Sequence, residues 1–266
     1  MLRARVITAV ILAPLVISAI YLLPLPWYAA FFWLIAAAGV YEWVGLAGIT
    51  GVTARVACLT ALATLALLTW ALPGTWPAVL WLGCGFWVVA AALVLAYPRG
   101  AGYLVRPLLA IPSALLVGWA AWMGLVVIRD QPGGATWVLW LLLLIWSADI
   151  GAYFAGHRFG RRRLAPRISP GKTWEGAAGG ALASLAVAVA MLVPMAALTP
   201  VWLPVIALLV VVSVFGDLFE SVLKRQRGVK DSGSLLPGHG GVLDRIDSVL
   251  AALPVFALIL ASGWFR

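Results

Sequence analysis

Apolar runs of about twenty residues recur along almost the whole of this 266-residue chain, and that length limits what it can become. About twenty residues of helix cross a hydrocarbon layer of roughly 30 Å, where a backbone polar group without a partner costs several kcal/mol. A helix satisfies its backbone within one segment, whereas a lone strand does not. The sequence therefore predicts an all-α, polytopic membrane bundle. A mean hydropathy of +1.07 excludes a soluble domain.

Nine spans are predicted, at 6 to 23, 27 to 47, 56 to 73, 77 to 97, 107 to 128, 136 to 155, 174 to 197, 201 to 220 and 248 to 264. The first follows Arg3 and Arg5, as a secretory signal would. It is followed by Pro24-Leu25-Pro26-Trp27 instead of a small-residue cleavage site, and is read as a retained helix. If the spans alternate, Arg3, Arg5, Arg55, Arg99, Arg106, the arginines from 158 to 167 and the basic residues from 224 to 245 share one side. The opposite loops hold only Arg129, beside Asp130. The positive-inside rule then places the N-terminus and the basic loops in the cytoplasm, and the expected location is the bacterial inner membrane. No repeat or linker divides the chain. Residues 1–135 read as scaffold helices and 136–266 as the catalytic region of one integrated membrane domain. Cys58 and Cys84 fall within spans and read as packing residues.

The charges are few and unevenly placed. Only 10% of residues are charged, and most of the acidic ones (Asp149, Glu175, Asp217, Glu220, Asp231, Asp244 and Asp247) lie in the C-terminal half with all three lysines, Lys172, Lys224 and Lys230. A charge at the bilayer centre costs roughly 2.5–3.5 kcal/mol, so charges retained there serve a purpose. The net charge of +9 resides in membrane loops without a separate soluble domain. Anionic headgroups and phosphorylated substrates are thus the expected partners, and nucleic acid is not.

The first charged segment runs from 147 to 176. Asp149 and Tyr153, four apart, share a helical face, although Asp149 also has the following arginines as candidate partners. The loop GHRFGRRRLAPRISPGKT then supplies Arg, Lys and glycine before a helix opening at Thr173-Trp174-Glu175, a composition suited to polyphosphate. Much of Arg161, Arg162 and Arg163 is accounted for by topology alone, and His157 reads as a loop-surface residue. Gly171-Lys172-Thr173 hints at a phosphate-binding loop. Pro166 stands where its first glycine belongs and no strand is expected before it, so the motif is rejected.

The second segment begins inside the eighth span. Asp217, Ser221 and Lys224 recur at four- and three-residue steps, forming a polar stripe that delivers a carboxylate, a hydroxyl and an ammonium to one cleft. Lys230-Asp231 then precedes the turn-forming Pro237-Gly238-His239-Gly240-Gly241. Asp244 and Asp247, three apart, face one way if that turn is helical; a helix N-cap or a pairing with Arg245 is the competing role. Carboxylates beside phosphate-binding lysines suggest Mg²⁺. His239 is the acid or base candidate, or it only orients a phosphate, since an ionised phosphate nucleophile needs no general base.

Ser221, Leu223, Lys224-Arg225, Lys230-Asp231, Gly233, Leu236, Pro237, His239-Gly240-Gly241, Asp244-Arg245 and Asp247 together resemble the signature of the phosphatidate cytidylyltransferases, also called CDP-diacylglycerol synthases. The segment from Asp149 to Glu175 is similar to the family's ISPxKTxEG region, with Gly171 where many members carry lysine. The resemblance implies transfer of a cytidylyl group from CTP to phosphatidate, dependent on Mg²⁺ with a monovalent cation such as K⁺ as a candidate second ion. It implies Asp217 and Asp244 as the metal pair. Lys224, Arg225, Lys230 and Arg245 would screen the two anionic substrates. Asp231, His239 and Asp247 join the catalytic set. Ser169, Lys172, Thr173 and Glu175 are assigned to CTP phosphates or their positioning, and Asp149, Tyr153, Ser221, Gly240 and Gly241 to substrate binding. It further implies a homodimer, on which the sequence itself is silent.

Two other classes compete. A CDP-alcohol phosphotransferase requires DGxxAR and a final GxxxDxxxD, which the three-residue spacing of Asp244 and Asp247 does not supply. A transporter could use Asp149 and Asp217 as a cation site, but paired interrupted helices in two halves are missing. A purely structural scaffold has no need of the clustered carboxylates.

Overall fold

The computed structural model describes residues 2–195, 197–236, 238 and 240–263. Among them are nine α-helices: α1 (Leu2–Leu22), α2 (Leu25–Leu46), α3 (Val52–Ala71), α4 (Trp76–Ala96), α5 (Pro107–Asp130), α6 (Gly134–Phe159), α7 (Trp174–Leu192), α8 (Trp202–Arg227) and α9 (Leu243–Ala261). Each corresponds to one predicted span. Seven of them, α2 to α8, are long and apolar enough to cross a membrane. The charges of Asp244, Arg245 and Asp247 at its start keep α9 below that measure, and α1 is apolar from Val10 to Leu22.

The helices outrun the hydropathy at the polar ends. α6 continues to Phe159, α8 continues to Arg227, and α9 starts at Leu243 instead of residue 248. Backbone hydrogen bonding does not stop where apolar side chains stop, so the candidate polar residues ride on rigid turns. α8 ends at Gly228, whose φ of +65° suits the left-handed C-terminal turn.

A second difference lies between α6 and α7. The stretch expected to be loop forms an antiparallel hairpin, β1 (Arg163–Ala165) with β2 (Ser169–Thr173), placing Arg163 opposite Thr173 and Ala165 opposite Ser169. A strand does therefore precede Gly171-Lys172-Thr173, contrary to the sequence reading. These residues are themselves extended strand, so the rejection of a phosphate-binding loop stands on their conformation. Pro166 and Pro170 lack the N–H that a helix needs; the ladder pairs the strands on either side of the turn, and Ile168 N–H closes the turn on Ala165 O at 3.1 Å.

Packing follows the rules of a bilayer solvent. α5 is buried along most of its C-terminal half, from Val117 to Ile128, while α3 and α4 leave Leu67, Leu68, Trp81, Leu82, Val88 and Val89 exposed, a surface suited to lipid. The chain is an integral membrane protein. α6 and α7 approach backbone to backbone: a Cβ on Gly180 would lie 2.6 Å from the Ala148 carbonyl oxygen. Ser184 Oγ donates to Leu144 O at 3.0 Å and Trp140 Nε1 to Ala188 O at 3.2 Å, fixing the register of this pair. α8 and α9 touch in the same manner at Gly216, where a Cβ would stand 2.6 Å from Asp247 O. That contact sets Asp217 and Asp247 at one level.

Candidate active site

At the end of the bundle where α6 and α8 finish and α7 and α9 begin, the helices and the hairpin enclose a cavity of about 800 Å³. Ala148, Gly180, Val210 and Val214 line its apolar part. Asp149 from α6, Lys172 from β2, Asp217, Glu220 and Lys224 from α8, and Asp244 and Asp247 from α9 supply its charge. Arg161, Arg163 and Arg245 also line it, with Tyr153 stacked on His157 on the α6 wall.

Two lysines organise the carboxylates. Lys172 Nζ pairs with Asp217 Oδ2, and Ser221 Oγ donates to the other oxygen of Asp217 at 3.4 Å. Lys224 Nζ pairs with Glu220 one turn back and with Asp244 Oδ1 at 2.6 Å across the α8–α9 gap. Asp149 and Asp247 have no ion pair among the described residues, and Asp247 Oδ1 accepts only the Ser248 N–H, at 2.6 Å.

Asp244 is held from three further directions. Its Oδ2 accepts Ser232 N–H at 2.9 Å, Ser232 Oγ–H at 3.0 Å and Gly241 N–H at 2.8 Å. Gly240, at φ +83°, turns the chain so closely past this carboxylate that a Cβ there would meet Asp244 Oδ2 at 3.1 Å. Gly240 and Gly241 thus serve Asp244 in this structure, beside any contact with substrate.

The hairpin is anchored at both ends. Glu175 accepts the N–H groups of Arg161 and Arg162 at 3.0 and 3.2 Å, and Thr173 caps α7 by accepting Gly176 N–H at 3.0 Å. Arg225 Nε donates to Ile168 O at 3.1 Å, tying the hairpin turn to α8. These contacts deliver Lys172 to Asp217. Glu175 and Arg225 are therefore placed as supports of the loop, and Arg225 does not line the cavity. Ser169, Lys230 and Asp231 also lie outside its lining, the last two exposed on the loop after α8. His239 lies outside the described residues.

A sequence model of the cytidylyltransferase family matches residues 3–262. The chain belongs to this family. It is 45% identical to the phosphatidate cytidylyltransferase of Pseudomonas aeruginosa over 99% of both chains. It is 36% identical to that of Haemophilus influenzae, over 97% of this chain and 98% of the relative. The Bacillus subtilis protein of the same name matches over 48% of each chain at 48% identity.

In this cytidylyltransferase the structure adds residues that the sequence reading left out of the site. Glu220 lines the cavity and shares Lys224 with Asp244; its place in the stripe was legible, but Ser221 was taken instead. His157, read as loop surface, belongs to the last turn of α6 and lines the cavity, because that helix is longer than its apolar part. Glu42, in the half read as scaffold, reaches the loop before α9 and is buried there. The rule that intramembrane carboxylates have a purpose would have found it.

The donor set offers oxygen ligands of the kind a hard divalent cation takes: Asp149, Asp217, Glu220, Asp244 and Asp247 gather around Lys172 and Lys224 in the cavity lining, and Asp149 and Asp247 have no ion pair among the described residues. Among the described residues no three His, Cys, Asp or Glu side chains form a ready-made metal cage. Mg²⁺ does not need one, since it takes one or two carboxylates and completes its shell with water and substrate phosphate.

Proposed function

We propose that this cytidylyltransferase transfers the cytidylyl group of CTP to phosphatidate, giving CDP-diacylglycerol and pyrophosphate. The observation that carries this reading is the cavity itself. It joins ion-paired lysines and carboxylates to an apolar wall at one end of a membrane bundle, as one anionic headgroup with lipid tails and one triphosphate require. The printed names of the relatives state the same activity of those proteins.

In this reading a phosphatidate oxygen attacks the α-phosphorus of CTP. The new P–O bond forms as the bond to the bridging α–β oxygen breaks, and pyrophosphate leaves in line. Lys172, Lys224, Arg161, Arg163 and Arg245 screen the repulsion between the two anions and the charge on the departing group. Asp217 and Asp244 would hold Mg²⁺, which supplies Lewis-acid stabilisation of phosphoryl charge. Asp149 and Tyr153 lie on the same α6 wall, within reach of the nucleotide or headgroup.

The orientation belongs to the same proposal: a bacterial inner membrane with the N-terminus and the cavity at the cytoplasmic face, and a homodimer as the working unit. Arg227 supports the shared face by donating to Leu46 O, which ties the α2–α3 turn to the basic end of α8. CTP labelled at the α-phosphate tests the activity. Mg²⁺-dependent label in the lipid phase that requires phosphatidate supports it, and no transfer by folded protein overturns it. Lys172→Ala is expected to raise the KM for CTP roughly tenfold and leave that for phosphatidate within about threefold. Equal CTP affinity would assign the basic hairpin to topology alone.

A further inference from the structure

We infer that Glu42 of α2 is a positioning residue that clamps the loop before α9 and thereby sets the Asp244 carboxylate. Its importance for turnover rests on the transfer reading above; the clamp itself does not.

Glu42 is 4% exposed in an otherwise apolar helix, where a carboxylate without a task would be costly. Its Oε2 accepts Leu243 N–H at 2.8 Å and lies 3.2 Å from Ser232 Oγ. Leu243 is the first residue of α9, and the preceding Val242 offers no side-chain cap. Glu42 therefore does from another helix what an N-cap residue does from its own, satisfying an orphan N–H. The same Ser232 hydroxyl lies 3.0 Å from Asp244 Oδ2, and its single proton is shared between the two carboxylates, so one side chain bridges the clamp and the candidate metal ligand.

The loop is shaped to admit this carboxylate. Gly233 and Gly241 press against it from two sides, and a Cβ at either would collide with Glu42. These are glycines of the segment that carries the family signature, and their smallness is explained by a residue from the first half of the chain. Glu42 Oε1 has no hydrogen-bond partner among the described residues, so its hold is exerted through Oε2 and through shape. Removing it would free Leu243 N–H and Ser232 together and loosen two of the contacts that surround Asp244.

The test compares wild type, Glu42→Ala, Glu42→Gln and Ser232→Ala in detergent micelles. Hydrogen–deuterium exchange over residues 229–245 is read beside steady-state transfer from α-labelled CTP. Glu42→Ala is expected to exchange about tenfold faster in this segment and unchanged in α6 and α7. Its kcat should fall about 10–100-fold, with KM for CTP within about threefold, as for loss of a residue that orients a metal ligand. Glu42→Gln keeps shape and acceptor and should stay within about threefold of wild type by both measures. Ser232→Ala should move both in the same direction by a smaller factor, and decides the question if Glu42→Ala does not fold. Exchange within about twofold of wild type in Glu42→Ala, or in Ser232→Ala in its place, overturns the clamp. So does a Glu42→Gln variant as impaired as Glu42→Ala, since charge would then matter and shape would not. An inactive wild type overturns the transfer reading and leaves the exchange data to judge Glu42.

Discussion

Protein carrying Asp217→Asn is expected to insert and fold as wild type does and to lose cytidylyl transfer by about 10²–10³-fold, the usual loss when one electrostatic stabiliser of phosphoryl or acyl chemistry is removed. The amide keeps the volume of the carboxylate and can still accept from Ser221 Oγ. What it removes is the negative charge opposite Lys172. Both side chains are about a quarter exposed, so this ion pair adds little to stability, on the order of 0–1 kcal/mol. Loss of activity without loss of stability is therefore the signature of a chemical role. The close α8–α9 contact at Gly216 holds position 217 in place whichever side chain it carries. Turnover and thermal unfolding of the purified variant, measured across a Mg²⁺ titration, check this. Wild-type turnover at every Mg²⁺ concentration would remove Asp217 from the proposed metal site.

How much of this was legible beforehand depended on the range of the forces involved. The helices could be read because insertion into lipid is governed segment by segment, and the Asp217–Ser221–Lys224 stripe because helical periodicity is local. The ends of α6, α8 and α9 were misplaced for the same reason, since hydropathy is blind to polar turns that continue a helix. The hairpin was not legible. Ser169-Pro170-Gly171-Lys172-Thr173 has no alternating apolar pattern, and what holds it is Glu175 on the backbone of Arg161 and Arg162 and Arg225 on Ile168 O. Those partners are set by tertiary packing. A carboxylate within apolar α2 was itself a signal, but the partners of Glu42, Ser232 and Leu243, are separated from it by most of the chain and were not legible. The pairing of Lys172 with Asp217 and of Lys224 with Glu220 and Asp244 likewise required the bundle. Sequence presented these as separate charges, whereas the cavity gathers them into three ion pairs on two lysines.

Lys224→Met should damage both chemistry and fold, which separates it from Asp217→Asn. The Lys224 side chain is 15% exposed, and those of Glu220 and Asp244 are 4% and 9% exposed, so this is a buried cluster and the small values of surface salt bridges do not apply. Removing one partner of a buried pair typically costs about 3–5 kcal/mol, because a charge is left without compensation. The cost will fall mainly on Glu220. Asp244 retains the donors Ser232 N, Ser232 Oγ and Gly241 N, whereas Lys224 is the only cation paired with the buried Glu220 among the described residues. The double variant Lys224→Met/Glu220→Met is therefore expected to regain most of the lost stability, since an apolar pair of similar volume removes the stranded charge. It should not regain turnover, because the ammonium that orders Asp244, and that in the proposed reading screens the substrate phosphates, is still missing. Unfolding in detergent measures the first effect and labelled-CTP transfer the second. Recovery of both together would mean that Lys224 acts only through folding, and recovery of neither would mean that Glu220 is itself needed at the site.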